Sequence, residues 1–167
     1  TKQIRQDALR GLAKLGKRII AFGVQSAEVF GNAGTEVGNP LVSIPELAGD
    51  IGLAINQNQE IGTSYFTGFT HYYATVLNKL YFVGRPALQG MSLCVFDGAH
   101  FSKVGSGPFN KIISEAASAQ SIFSVNKIVL AGKEAVALQL THASTAPQRW
   151  LMYFPEWNDW FEWNSDM

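Results

Sequence analysis

The sequence predicts a mainly β protein of the α+β type: an antiparallel β-sandwich or open barrel with an N-terminal amphipathic helix and one or two short helices. Three observations favour this fold class. Apolar residues near the start of the chain repeat at helical spacing, aromatic and β-branched residues dominate from Thr63 onward, and turn signals recur there about every ten residues. With 167 residues, the chain is long enough to bury a core without a disulfide or a metal.

The first predicted unit, residues 1–22, is a basic amphipathic helix or arm. Six of the thirteen Lys and Arg residues lie in its first eighteen positions, together with a single acid, Asp7. Gly11 and Gly16 each cost a helix about 1 kcal/mol relative to alanine, so this helix needs a surface to pack on. Its apolar side consists of Ile4, Ala8, Leu12, Leu15, Ile19 and Phe22. Its predicted interface comprises Lys2, Ile4, Arg5, Arg10, Leu12, Lys14, Leu15, Lys17 and Arg18.

The second predicted unit, residues 23–167, is a single β-rich domain with an aromatic C-terminal tail. Asp97-Gly98 favours a type I′ hairpin turn because both residues tolerate positive φ, and Gly132-Lys133 marks a second hairpin. Helices are predicted over 45–56, where a proline suits the first turn, and over 110–120. Strands are predicted over 19–24, 65–77, 79–84, 91–96, 99–104, 127–131, 134–140 and 150–154.

The tail concentrates aromatic residues, since all four tryptophans fall within the last eighteen positions. The spacing of three between Trp157, Trp160 and Trp163 predicts a short helix with the three rings on one side. The predicted tail interface comprises Trp150, Trp157, Trp160, Phe161 and Trp163. Four roles remain open for it: packing over the chain's own core, a contact between subunits, a platform for sugars, or a belt at a membrane interface.

Catalytic and metal sites are not predicted. The nearest catalytic set is Cys94, Asp97 and His100, but Asp97 lies in a predicted turn and the thiol lies in a predicted core strand. The histidines His71, His100 and His142 lie on three different predicted strands, without a second ligand at metal-binding spacing. We therefore expect no enzyme activity, no metal and no cofactor.

The composition of the chain predicts that it binds a partner protein or an assembly. Charged residues make up 16% of the chain and hydrophobic residues 47%, against about 25% charged in an average domain. The sequence therefore predicts a non-enzymatic structural or assembly protein that oligomerises or docks on a larger particle, and a phage capsid, tail or fibre protein fits this profile. The expected partners are copies of itself or other proteins of an assembly. Nucleic acid is disfavoured because the rest of the chain is acidic.

Two alternatives come from other classes of protein. One is a membrane-active or lipid-binding protein that uses the cationic N-terminal helix, so a membrane surface stays open as a partner. The other is a carbohydrate-binding module that uses the C-terminal tryptophans. The apolar run at residues 19–24 is too short for a signal peptide, so we expect synthesis in the cytoplasm and, for a phage component, a place in the virion.

Overall fold

The protein folds mainly as antiparallel β-sheet, as the sequence predicts. A computed structural model describes residues 7–32, 34, 40–54, 72–86, 90–105, 107–118, 122–140 and 149–164. The strands of this part form three sheets that pack face to face as in a sandwich, with three layers in place of two.

The first sheet is an up-and-down meander of four strands. Its first hairpin turns at Gly16, whose φ of +58° suits a glycine. A 3₁₀ turn at Pro45–Leu47 follows the sheet. The strands are β1 (Gly11–Leu15), β2 (Arg18–Phe22), β3 (Ala27–Asn32) and β4 (Leu41–Ser43).

The central sheet has β7 as its longest strand. β5 and β6 both pair with β7, at different residues, and β8 and β9 continue the sheet on the other side. Leu77 and Asn78 both have positive φ, as a type I′ turn between β6 and β7 requires. The strands are β5 (Ile51–Leu53), β6 (Tyr73–Val76), β7 (Lys79–Pro86), β8 (Ser92–Phe96) and β9 (Phe101–Lys103).

The third sheet is again a four-stranded meander, preceded by helix α1. Ile113 of this helix is fully buried, and Ile112 and Ala116 pack against the same core, as the predicted helix at 110–120 requires. The elements are α1 (Gly107–Ser118), β10 (Ile122–Leu130), β11 (Lys133–Leu140), β12 (Arg149–Phe154) and β13 (Asp159–Asn164).

The central sheet is buried on both faces. Alternate residues of β7 point to opposite sides: Leu80 and Phe82 pack against the first sheet, whereas Tyr81 and Val83 pack against the third. The strand is accordingly buried at five consecutive positions. Such a run is typical of a strand covered on both faces.

The predicted N-terminal helix is wrong over residues 7–22, which contain β1 and β2 and no helix. Two physical reasons account for this. Gly11 and Gly16 weaken a helix, and alternate residues such as Ala13, Ile20 and Phe22 can enter a core when the segment pairs with β3. Lys2, Ile4 and Arg5 lie outside the described residues.

Other elements of the structure also differ from those predicted. The helix over 45–56 is wrong, because only the 3₁₀ turn forms before the chain enters β5. The hairpin at Asp97-Gly98 is confirmed, but only Gly98 of the pair has positive φ, so the turn is not type I′. The second hairpin is also confirmed, with its tight turn at Ala131-Gly132, one residue earlier than predicted.

Candidate functional site

An aromatic patch covers the outer face of the third sheet, on the side away from the central sheet. Trp150 lies directly opposite Trp163, and Met152 lies opposite Phe161, in the pairing of β12 with β13. Trp157, in the turn between these strands, extends the same surface. We call these five residues the aromatic patch. Trp157 and Trp163 are each 55% exposed and Phe161 is 44% exposed, so large rings lie in solvent.

Phe154 lies on the same face of β12 as Trp150 and Met152 and supports the patch from within that face. This side chain is buried, its ring stacks on Trp157 at 5.1 Å between centroids, and it meets Phe161 edge-on at 5.5 Å. Aromatic pairs in these geometries stabilise their arrangement by roughly 0.5–1.5 kcal/mol beyond area burial. The exposed rings are therefore held in place before any partner arrives.

Trp160 does not join the patch, and the predicted tail helix is wrong. The tail forms β13, in which neighbouring residues point to opposite faces, so Trp160 enters the core while Phe161 faces outward. Trp160 is 8% exposed and stacks on Phe109 of α1 with ring centroids 5.2 Å apart. Met152 and Phe154 belong to the site but were missed, although the two-residue alternation along the predicted strand at 150–154 places both on the same face as Trp150.

The basic residues of the predicted N-terminal interface do not form one cationic stripe over residues 10–18. Arg10 Nη1 donates to the carbonyl oxygens of Leu53 and Ala54, at 3.3 and 3.4 Å. Arg18 donates to the carbonyl oxygen of Gly98. Their charges therefore help to join the first and central sheets. The remaining described members are Leu12, Lys14 and Lys17, which are exposed, and Leu15, which packs partly into the core.

Ion pairs surround the third sheet. Three lysine or arginine side chains contact three glutamates: Lys127 with Glu134, Lys133 with Glu156, and Arg149 with Glu162. The hydrogen bond from Arg149 lowers the pKa of Glu162, and the bond from Lys127 lowers the pKa of Glu134. Exposed pairs of this kind contribute little to stability.

A cleft of about 260 Å³ lies between the central and third sheets. Its walls include Lys79, Tyr81, Tyr153 and Asn158. The hydroxyl of Tyr153 donates to Oδ1 of Asn158 at 3.0 Å, and the two tyrosine rings lie 6.1 Å apart between centroids. This cleft was not predicted, because its two tyrosines lie on strands far apart in the chain.

Burial raises the pKa of Tyr81 to about 12, with a smaller contribution from Tyr153, whose own pKa burial also raises. Because the folded state favours the neutral phenol, the contribution of Tyr81 to the unfolding free energy is fully present below its ordinary pKa of 10.0 and is lost as pH rises toward about 12. We expect the unfolding free energy, measured in urea, to fall over this range. Tyr81→Phe should show a shallower fall, and an equal slope in both proteins would contradict this assignment.

The nearest catalytic set does not assemble. Cys94 is fully buried, and burial raises the pKa of its thiol to about 11, so the thiol is neutral and protected. The carboxylate of Asp97 accepts hydrogen bonds from the backbone N–H groups of Ala99 and His100, at 2.8 and 2.7 Å, which stabilises the hairpin turn. His71 and His142 lie outside the described residues. Within the described ranges, no three His, Cys, Asp or Glu side chains are placed to share a metal ion.

Among the described residues, no helix combines the length and the apolar character that crossing a bilayer requires. The aromatic patch is thus the best-defined candidate site in the described part of the chain. No protein-family model and no curated protein sequence matches this chain.

Proposed function

We propose that this protein is a non-enzymatic assembly protein, which joins copies of itself, through the aromatic patch, into a larger particle such as a phage virion. The observation that carries the proposal is the exposure of Trp157, Phe161 and Trp163 on one sheet face. Tryptophan is enriched among the residues that dominate binding energy at protein interfaces. A low content of charge, 16% of the chain, supports the same function.

The arrangement of the patch favours a protein partner. Its rings are already ordered by Phe154, so binding would cost little side-chain entropy. A sheet face is broad, and ion pairs such as Lys133 with Glu156 lie near its edge, as in an interface with an apolar centre and a polar rim.

The proposal is tested by sedimentation of the protein from micromolar to near-millimolar concentration. We expect the wild type to form a defined oligomer. Trp163→Ser should weaken association by at least about 30-fold, the effect of removing an interface residue worth about 2 kcal/mol. Val129→Ser is the matched control, because Val129 is 58% exposed on β10 and does not belong to the patch. A wild type that stays monomeric throughout would overturn the proposal.

Carbohydrate binding is a second candidate, favoured by a specific observation. Gln139 pairs with Trp150 across β11 and β12, and Ser124 donates a hydrogen bond to Gln139 at 3.0 Å. Indole rings beside amide and hydroxyl groups are suited to sugars, which stack on rings and hydrogen-bond at their edges. A monomer whose tryptophan fluorescence responds saturably to soluble oligosaccharides would favour this candidate over assembly. Membrane binding is no longer favoured, because the helix that motivated it is absent from residues 7–22.

A further inference from the structure

We infer that the cleft between the central and third sheets binds a small organic carboxylate. In this arrangement the carboxylate accepts a hydrogen bond from the hydroxyl of Tyr81 and lies near the ammonium group of Lys79, while the apolar body of the ligand contacts Val95 and Pro155. None of the five residues of the aromatic patch lines this cleft, so the inference goes beyond the proposed function and does not depend on it.

The first argument is the free hydroxyl of Tyr81. This residue lines the cleft and is only 3% exposed, yet its hydroxyl forms no hydrogen bond within the described part of the chain. A buried polar group without a partner is costly, and native structures rarely leave one. Burial raises the pKa of this phenol to about 12, so the hydroxyl keeps its proton and can donate it in a hydrogen bond. An acceptor bound in the cleft supplies the partner that the protein lacks.

The second argument is the set of hydrogen-bonding groups that remain for a ligand. Oδ1 of Asn158 already accepts from Tyr153 at 3.0 Å, so the N–H groups of this amide are left to donate. Lys79 and Lys103 both line the cleft, are exposed, and can only donate. Lys79 lies two residues before Tyr81 in β7 and therefore projects from the same face of the sheet. A negatively charged acceptor satisfies these donors together.

Acids adjoin the cleft, but none is among its described lining residues. Glu134 and Glu156 each form an ion pair with a lysine of the third sheet, and Asp159 lies on the outer face of β13. Asp97 accepts hydrogen bonds from backbone N–H groups of its own hairpin, which lower its pKa, and Lys79 adds a weaker attraction. Lys79 forms no ion pair with a described residue, so its ammonium group is available to an anion.

The third argument is the size of the cleft and the nature of its walls. Its volume of about 260 Å³ is below the roughly 300–1,000 Å³ of sites for drug-sized ligands and above the roughly 150 Å³ of an apolar cavity that holds benzene. Part of the wall is apolar and consists of Leu77, Val95, Val104 and Pro155. The cleft therefore suits a ligand about the size of a single ring that carries apolar surface as well as charge.

Titration calorimetry of the full chain with sodium benzoate, which joins one ring to one carboxylate, tests this site. We expect saturable binding of benzoate with a Kd below about 1 mM. Benzyl alcohol keeps the ring without the charge, and acetate keeps the charge without the ring, so each should bind at least about 10-fold more weakly. The absence of saturable benzoate binding up to about 10 mM would overturn the inference.

Tyr81→Phe should weaken benzoate binding by about 10-fold or more, because it removes one hydrogen bond to a charged group. The same substitution should leave the urea midpoint at neutral pH unchanged or raise it, since the hydroxyl has no partner among the described residues. Tyr73→Phe is the matched control, because Tyr73 packs toward the first sheet and does not line the cleft. Equal affinities of Tyr81→Phe and the wild type for benzoate would overturn the site.

Lys79→Gln should weaken benzoate binding by at least about 5-fold at low salt, and the affinity that remains should depend less on salt concentration. Lys14→Gln, at an exposed position of the first sheet, should bind like the wild type. Unchanged affinity and salt dependence in Lys79→Gln would overturn the placement of the carboxylate beside this lysine. A wild type that binds benzoate but never assembles would overturn the proposed function and leave this inference in place.

Discussion

Phe82→Ala is expected to lower the free energy of unfolding by about 3–5 kcal/mol, the usual cost of removing a buried phenylalanine ring. Phe82 is fully buried in β7, its ring lies 4.6 Å from that of Phe22 and 6.1 Å from that of Phe101 between centroids, and it joins the first and central sheets. Deletion of the ring leaves a cavity that two paired sheets cannot readily close. This loss is a large part of the roughly 5–15 kcal/mol that stabilises a typical domain.

The measurement is equilibrium unfolding in urea, followed by the fluorescence of tryptophan. Val129→Ala is the control, since this strand residue is 58% exposed and its loss should change stability by no more than about 1 kcal/mol. A loss below about 1 kcal/mol for Phe82→Ala would contradict the packing of the first sheet on the central one.

Gly52→Ala is expected to destabilise the protein by roughly 3 kcal/mol, at the upper end of the range for overpacking. A Cβ atom on Gly52 would overlap the carbonyl group of Val24 and the amide nitrogen of Gln25. These are backbone atoms, so no side-chain rotation relieves the clash. The segment is also fixed in place, because Leu53 N donates to Gly23 O at 2.9 Å and Asp7 accepts a hydrogen bond from Gln25 N at 2.8 Å.

Gly105→Ala is the matched control, because a Cβ atom at Gly105 would meet nothing within 4 Å and its φ is not positive. This substitution should leave stability unchanged or raise it by up to about 1 kcal/mol through the unfolded chain. Equal urea midpoints for the two variants would show that the close approach of β5 to the β2–β3 connection is wrong.

The sequence predicts the β-rich C-terminal half well, because local signals and tertiary packing agree there. The hairpin at Asp97 forms because a short carboxylate can accept nearby backbone N–H groups, and the turn before Lys133 forms because Gly132 tolerates positive φ. These are local causes that act within a few residues. They can therefore be recognised in a single sequence.

The N-terminal segment was mispredicted because one subset of its apolar residues repeats at helical spacing, whereas a different subset alternates as in a strand. Leu12, Leu15 and Ile19 share one side of a helix, yet in strands Leu12 and Ile19 face outward and Leu15 faces the core. Which period prevails depends on the pairing of β2 with β3, a contact that local spacing does not encode.

The sequence predicted most of the large rings of the aromatic patch but placed one tryptophan wrongly. Large rings at Trp150, Trp157, Phe161 and Trp163 were identified because tryptophan is rare and concentrated here. Trp160 was misplaced because a spacing of three was taken for a helix, whereas a strand sends alternate residues to opposite faces.

The burial of the central sheet on both sides has a consequence for how the protein loses its structure. Neither outer layer can detach without wetting one side of β7, where Phe82 and Tyr81 point in opposite directions. The two hydrophobic clusters therefore share β7, whose residues pack into both of them. We therefore expect a substitution in either cluster to destabilise all three layers, which should unfold together as one cooperative unit.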